Sequence, residues 1–155
     1  IVAAAVGGKS KGEAMIAAFD RRLAGLVHPA GAVQPTAIIY QVGGSVSGPG
    51  SLAEAALVAA GFRNKAAEYR LTRNGQVPLE LLVAAPPDLL VLSSAMDEYR
   101  TALADNLRHP VLRRLRQHHA SLELPWQLWL CGTPHIADAI ERLAEARNKL
   151  GAAAR

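Results

Sequence analysis

The chain has 155 residues, 50% hydrophobic and 19% charged, which suffices for one domain with a buried core and excludes a disordered polypeptide. Its net charge is +4 with only 5% aromatic residues; the arginines are dispersed and few rings could stack on bases, so the charge reads as a solubility feature and nucleic acid is not an expected partner. No apolar run reaches the ~18–20 residues of a membrane span, and the single cysteine, Cys131, excludes an internal disulfide and a thiolate-rich metal cage.

The opening segment IVAAAVGGKSKGEA has no Met and no charged stretch before an apolar core. It does not read as a secretory leader, and the chain is expected to begin partway through a longer protein. Ser10 and Glu13 have the spacing of a reciprocal capping box. Met15, Ile16, Phe19, Leu23, Leu26 and Val27 recur at helical spacing with Arg21 and Arg22 off the stripe, predicting an amphipathic helix of about 18 residues. His28-Pro29-Ala30-Gly31 ends it.

TAIIYQV, 36–42, is rich in β-branched residues and predicts a buried strand. GGSVSGPG, 43–50, is a loop. Ser51 and Glu54 form a second capping box that opens a helix from Leu52 to Ala60, with Gly61 as its stop. AEYRL, 67–71, reads as a short strand and RNGQ, 73–76, as a turn. Pro78 suits the first turn of a short helix running to about Ala85, where Pro86-Pro87 stops it before the strand DLLVLS, 88–93. A helix from Asp97 to about Leu107 breaks at His109-Pro110, and VLRRLRQH makes another. QLWLC, 127–131, reads as the last strand. Thr133 and Pro134 open the final helix, whose inner face is Ile136, Ile140 and Leu143.

Helices alternate with strands that are continuous apolar runs, so the expected fold is α/β: a three-layer arrangement with a mostly parallel sheet and helices on both faces. Ligands of such sheets gather at the carboxyl ends of the strands. The loops 43–50, 65–76, 93–97 and 131–135 are therefore expected to meet on one edge.

GGSVSGPG lies between a strand and a capped helix but lacks the Lys-Ser/Thr of a phosphate loop and the spacing of a dinucleotide fingerprint. It is either a plain turn or a ligand-facing loop. Cys131 and His135 can both face the strand-end edge, yet a metal needs three or four converging ligands. His118 and His119 share a basic surface with Arg113, Arg114 and Arg116. No nucleophile–base–acid order and no paired carboxylates stand out. Asp88 reads as a turn residue. Of Trp126 and Trp129, one is expected in the core and the other against a pocket. Glu80 stands inside the apolar run VPLELLVAAPPDLLVL, so it points to water, pairs with a cation, or serves an outside partner.

Taken together, AIIYQVGGSVSGPGSLAEAALVAAGFRN, VPLELLVAAPPDLLVL, RHPVLRRL and CGTPHIADAIERLAEA resemble, in order and spacing, the class III substrate-binding proteins of ABC importers, which capture vitamin B12, ferric siderophores or haem. Such proteins have two α/β lobes joined by one long helix. The resemblance assigns 1–29 to the end of the connecting helix and 30–155 to the C-terminal lobe, with the other lobe absent from this chain. It implies a periplasmic, monomeric, non-enzymatic protein without a cofactor of its own, whose ligand can carry iron or cobalt. The implied partners are a small metal-chelate ligand and a permease in the inner membrane.

By the same resemblance Glu80 matches the glutamate that docks into arginine pockets of the permease, although Pro78 stands where the family often has Ser. The implied ligand-binding residues are Ser45 and Ser47, Tyr69 or Arg70, Ser93 and Ser94, and Trp129 and His135. The competing reading is a doubly wound nucleotide-binding or enzymatic domain, which the missing phosphate and acid/base motifs weaken.

Overall fold

A computed structural model describes residues 2–26, 34–93, 107–130 and 132–153. Val2–Ala5 (α1) is a single turn, Gly7 reverses the chain at a φ of 73°, and Lys9–Ala24 (α2) follows. The Ser10–Glu13 capping box does not form: Ser10 lies inside α2, and Gly8 caps it with no side-chain bond. The preceding turn explains this, because the Gly8 N–H donates to the Ala3 carbonyl (2.7 Å), while Glu13 lies 3.8 Å from the Lys9 ammonium. Phe19, Leu23 and Leu26 pack toward the core, whereas Met15 and Ile16 of the same stripe are exposed. The predicted stop at His28-Pro29-Ala30-Gly31 lies outside the described residues.

Thr36–Tyr40 (β1) is buried at every position. Ser45–Val46 (β2) folds back antiparallel onto its end, pairing Val46 with Tyr40. Leu52–Ala59 (α3) is capped by Ser51, whose Oγ accepts the Glu54 N–H at 3.1 Å, as expected. The Glu54 carboxylate reaches the N–H of Gly50 rather than that of Ser51 (2.6 Å). At the other end Gly61, at φ 84°, closes a Schellman motif: its N–H donates to Val58 and that of Phe62 to Leu57.

Arg63–Asn64 (β3) pairs parallel with Thr36 and Ala37, and Gly75–Gln76 (β4) pairs antiparallel with β2. The predicted strand at 67–71 is absent. Its place is taken by a 3-10 turn, Lys65–Ala67, and a bend in which Arg70 has a φ of 61°. The reason is capping chemistry: the Asn64 side chain accepts the Ala66 N–H (3.1 Å) and starts the turn.

Leu79–Ala84 (α4) leads to Leu89–Ser93 (β5), and Pro110–His118 (α5) leads to Ala120–Leu124 (β6). β5 lies parallel between β1 and β6, giving the order β4-β2-β1-β5-β6, with β3 beside the start of β1. The predicted helix at 97–107 falls outside the described residues except for Leu107. The last strand is therefore 120–124 and not 127–131; Gln127–Leu130 is a helical turn (α6) and Ile136–Ala153 (α7) closes the chain. Pro125 explains the shift, since it cannot donate to a ladder and ends β6 before the apolar QLWL run begins.

The sheet separates two cores. Ala37, Ile39, Leu89 and Val91 face α3, α6 and α7 through Leu57, Trp129, Ile140 and Leu143. Ile38, Tyr40, Leu90 and Leu92 face α4 and α5 through Leu82, Leu112 and Leu115. The fold is thus the expected three-layer α/β lobe. No helix among the described residues is long and apolar enough to cross a membrane.

Candidate functional site

The parallel strands β1, β5 and β6 start level with one another and end level with one another. Tyr40, Ser93 and Leu124 mark the carboxyl edge; Thr36, Asp88 and His119 lie at the amino edge.

At the carboxyl edge, Gly43 and Gly44 both adopt positive φ (70° and 75°) to turn β1 back into β2, and the Gln41 N–H donates to the Ser45 carbonyl (2.8 Å). Gly44 has no room for a side chain: a Cβ there would stand 2.9 Å from the Val77 carbonyl and 3.1 Å from the Tyr40 hydroxyl. The Val77 N–H donates to the Gly44 carbonyl (2.9 Å), and the Tyr40 hydroxyl donates to the Val77 carbonyl (3.2 Å). The loop after β1 is thereby bonded to the residue that leads into α4.

Lower down, the Asn64 amide donates to the Ser47 carbonyl (3.0 Å) and the Gly48 N–H donates to Asn74 Oδ1 (3.0 Å). A Cβ on Gly48 would strike the Arg73 carbonyl at 2.0 Å. The loop is thus tied to its neighbours at both ends by hydrogen bonds, with two of its glycines placed where a side chain would clash.

The structure separates the residues expected to bind ligand. Ser45 is half-buried at the carboxyl edge, level with the end of β1. Ser47, also half-buried, lies two residues further down the side of the sheet. Ser93 ends β5 at the carboxyl edge, and Ser94 lies outside the described residues.

Tyr69 is placed elsewhere. Its hydroxyl donates to the Ala85 carbonyl, at the end of α4 toward the amino edge, and burial pushes its pKa up to about 12, with the Glu68 carboxylate adding to the shift. Arg70 is exposed beside it. The resemblance put one of the pair at the ligand edge through the loop 65–76; the 3-10 turn keeps both at the opposite end. The segment that does climb to the carboxyl edge is 75–77, through β4.

Trp129 is 7% exposed and belongs to the core against α3 and α7. The Trp126 indole N–H is buried with no hydrogen-bond partner among the described residues. His135 is exposed, with Nδ1 3.5 Å from Asp138. Cys131 lies outside the described residues. Two polar residues were missed: Gln41 immediately follows β1, and Gln76 lies opposite Ser45 on β4. Their position at a strand end was the available signal.

Glu80 is exposed in the first turn of α4, and its carboxylate has no hydrogen bond or ion pair among the described residues. Leu82 two residues on is buried, so the helix turns the carboxylate outward. At the amino edge Asp88 is structural, as expected: one carboxylate oxygen accepts both the N–H and the hydroxyl of Thr36 at 2.7 Å. Among the described residues no group of three or more His, Cys, Asp or Glu could hold a metal ion. Among the described side chains the edge therefore offers the Ser45 hydroxyl, the Gln41 and Gln76 amides and close-approach backbone, a set suited to holding a ligand.

A family model described as "periplasmic binding protein" matches residues 1–116. No curated protein matches the sequence. Among solved structures, the chain is similar to the periplasmic heme-binding protein RhuT from Roseiflexus sp. RS-1 in apo form, with 21% identity and a TM-score of 0.76 over 96% of this chain and 60% of that one. It is similar to an ABC-type Fe3+-hydroxamate transport system from Saccharomonospora viridis DSM 43017, with 26% identity and a TM-score of 0.68 over 90% of this chain and 50% of the other. It also resembles the periplasmic heme-binding protein HutB of Vibrio cholerae, with 12% identity and a TM-score of 0.72 over 93% of this chain and 59% of that one. The chain spans 60% or less of the length of these structures.

Proposed function

The chain belongs to the periplasmic binding protein family, and from that premise we propose that it is the C-terminal lobe of the solute-binding component of an ABC importer. It captures a metal-chelate ligand between two lobes in the periplasm and, as a monomer, delivers it to an inner-membrane permease. The observation that carries this reading is the carboxyl edge itself. There a hydrogen-bonded glycine turn presents Ser45, with Gln41 and Gln76 beside it, on a lobe of this family's fold. The heme-binding and hydroxamate-transport names of similar structures support a chelate of iron as ligand, with a corrinoid as the further class.

In this reading Ser45, Gln41, Gln76, Ser93, Ser94 and His135 meet the ligand. Ser47 supports the loop from the side, and Trp129 holds the wall from within. Tyr69 and Arg70 take no part. Glu80 docks the loaded protein, since an exposed carboxylate without a partner can stay hydrated until an arginine fork reaches it.

The nucleotide-binding alternative has no observation in its favour: a phosphate loop leads from strand straight into helix, whereas here β2 intervenes. Tryptophan fluorescence titration of the full-length, two-lobed protein with haem, ferrichrome and cyanocobalamin tests the proposal. Saturable quenching by one of them is expected. A response to ATP or NAD alone would overturn it.

A further inference from the structure

The outer face of the α4–α5 layer combines a run of cations with exposed apolar side chains. Residues 108–119 contain Arg108, Arg113, Arg114 and Arg116, three histidines and no acid. Arg116 is bound by Glu123 across to β6. Arg113 and Arg114 are exposed and make no ion pair among the described residues. His118 and His119 extend the same ridge, both exposed. Beside it run three large apolar side chains open to solvent, Leu81 and Val83 from α4 and Val111 from α5. Val83, Val111 and Leu115 floor a shallow groove of about 350 Å³ rimmed by Arg114, His118 and His119.

We propose that this face is a membrane-contact surface that adsorbs to a bilayer of anionic phospholipid. Charge complementarity selects an anionic partner. The distribution selects a planar one: Arg113 and Arg116 lie on one side of α5 and Arg114, His118 and His119 on the other instead of converging on a point, and the apolar groove between α4 and α5 is shallow and open to solvent. A defined acidic peptide would be met by a convergent site. The pattern is that of peripheral adsorption, in which arginines sit among headgroups and short apolar side chains enter the interface. The α5 residues Leu112 and Leu115 remain in the core, so the helix does not leave the fold to bind. The inference is independent of the ligand proposed above. It places on one side of the lobe both the outward carboxylate of α4 and an attachment to the membrane in which a permease would lie.

The test is co-sedimentation of the intact protein with vesicles of phosphatidylcholine alone and of phosphatidylcholine with phosphatidylglycerol. Partitioning to the anionic vesicles should exceed that to the neutral ones. It should vanish at about 0.5 M salt, where the screening length is only a few ångströms, and fall by more than about thirtyfold in the Arg113→Glu/Arg114→Glu variant, which loses two cations worth about 1 kcal/mol each and adds repulsion. Val83→Asn should weaken it several-fold, with circular dichroism of each variant unchanged. Equal binding to both vesicle types, no binding to either, or undiminished binding by a folded double variant would overturn the proposal. Capture of polyglutamate without vesicle binding would overturn it too, assigning the face to an acidic polypeptide.

Discussion

Arg22 holds Glu141 with two N–H···O bonds of 2.7 Å each, from Nε and Nη2 to the two carboxylate oxygens, while Nη2 also donates to Asp138. Partners 119 residues apart in sequence are thus joined, and α2 is pinned along α7. Exposed ion pairs contribute little on average, and a bidentate fork shared by two carboxylates is the exception. Hydrogen bonding to Glu141 and then Asp138 raises the Arg22 pKa, and the same bonds hold both carboxylates below their usual range.

Arg22→Ala should therefore lower the melting temperature at neutral pH by a few degrees, and the difference should shrink in high salt. Because both carboxylate values are depressed in the folded state, the contribution is present above the ordinary carboxylate range and lost as pH falls through the folded values. Thermal scans of wild type and variant at pH 7 and pH 3 check this; an equal gap at both would contradict it.

The Thr36–Asp88 pair ties the start of β1 to the start of β5. Thr36 is 6% exposed, so its N–H and hydroxyl depend on Asp88 for acceptors. Removing them in Asp88→Ala should cost on the order of 1–3 kcal/mol, read as a fall in urea midpoint. Asp88→Asn, which keeps an acceptor oxygen, should cost less. Partial burial alone would raise the Asp88 pKa, but the Thr36 bonds, with Lys65 and Arg63 nearby, outweigh it and the net direction is down. The wild-type advantage over Asp88→Ala is thus expected to be complete above about pH 4 and to decay at lower pH.

The sequence was most legible where one physical signal dominated. β1 and β5 are apolar runs buried on both faces, and α3 carries a capping serine and a C-terminal glycine, so each could be read directly. β6 was missed because it is an edge strand: Ala120, Leu122 and Leu124 face the core while Ser121 and Glu123 face out. Its signature is alternation over five residues, and a search for continuous apolar runs passes over it to QLWLC. The segment 67–71 was read as a strand for its β-prone residues; the Asn64-capped turn that replaces it is a side-chain effect that strand propensity does not register. Gly44 could be seen as a loop residue, but its closeness to Val77 depends on a contact 33 residues away in sequence.

That contact yields a third expectation. Gly44→Ala places a Cβ against the Val77 carbonyl in a backbone conformation that costs an L-residue about 1–2 kcal/mol by itself. The variant should fold with a reduced urea midpoint. The disturbance should pass along the Gly44–Val77 bonds, so amide exchange should quicken at both Ser45–Val46 and the start of α4. Faster exchange confined to the glycine turn would show that the two segments are not mechanically joined.

Glu80 supplies the sharpest functional expectation. It is solvated, unpaired among the described residues, and held on a helix whose entry is fixed by the Val77–Gly44 bond. Charge reversal there should cost the fold almost nothing, since no partner inside the lobe loses a contact. Under the proposed role, Glu80→Arg should leave ligand affinity within about twofold, because the ligand residues sit on other loops. It should abolish ligand-stimulated binding to the permease and uptake in cells, because a cation would meet arginine pockets built for a carboxylate; like-charge juxtaposition costs several kcal/mol. Glu80→Asp, which keeps the charge but shortens the reach, should fall between. Measuring ligand affinity and permease binding on the same preparations separates the two functions. If both decline together, Glu80 acts on the lobe itself and not as a docking residue.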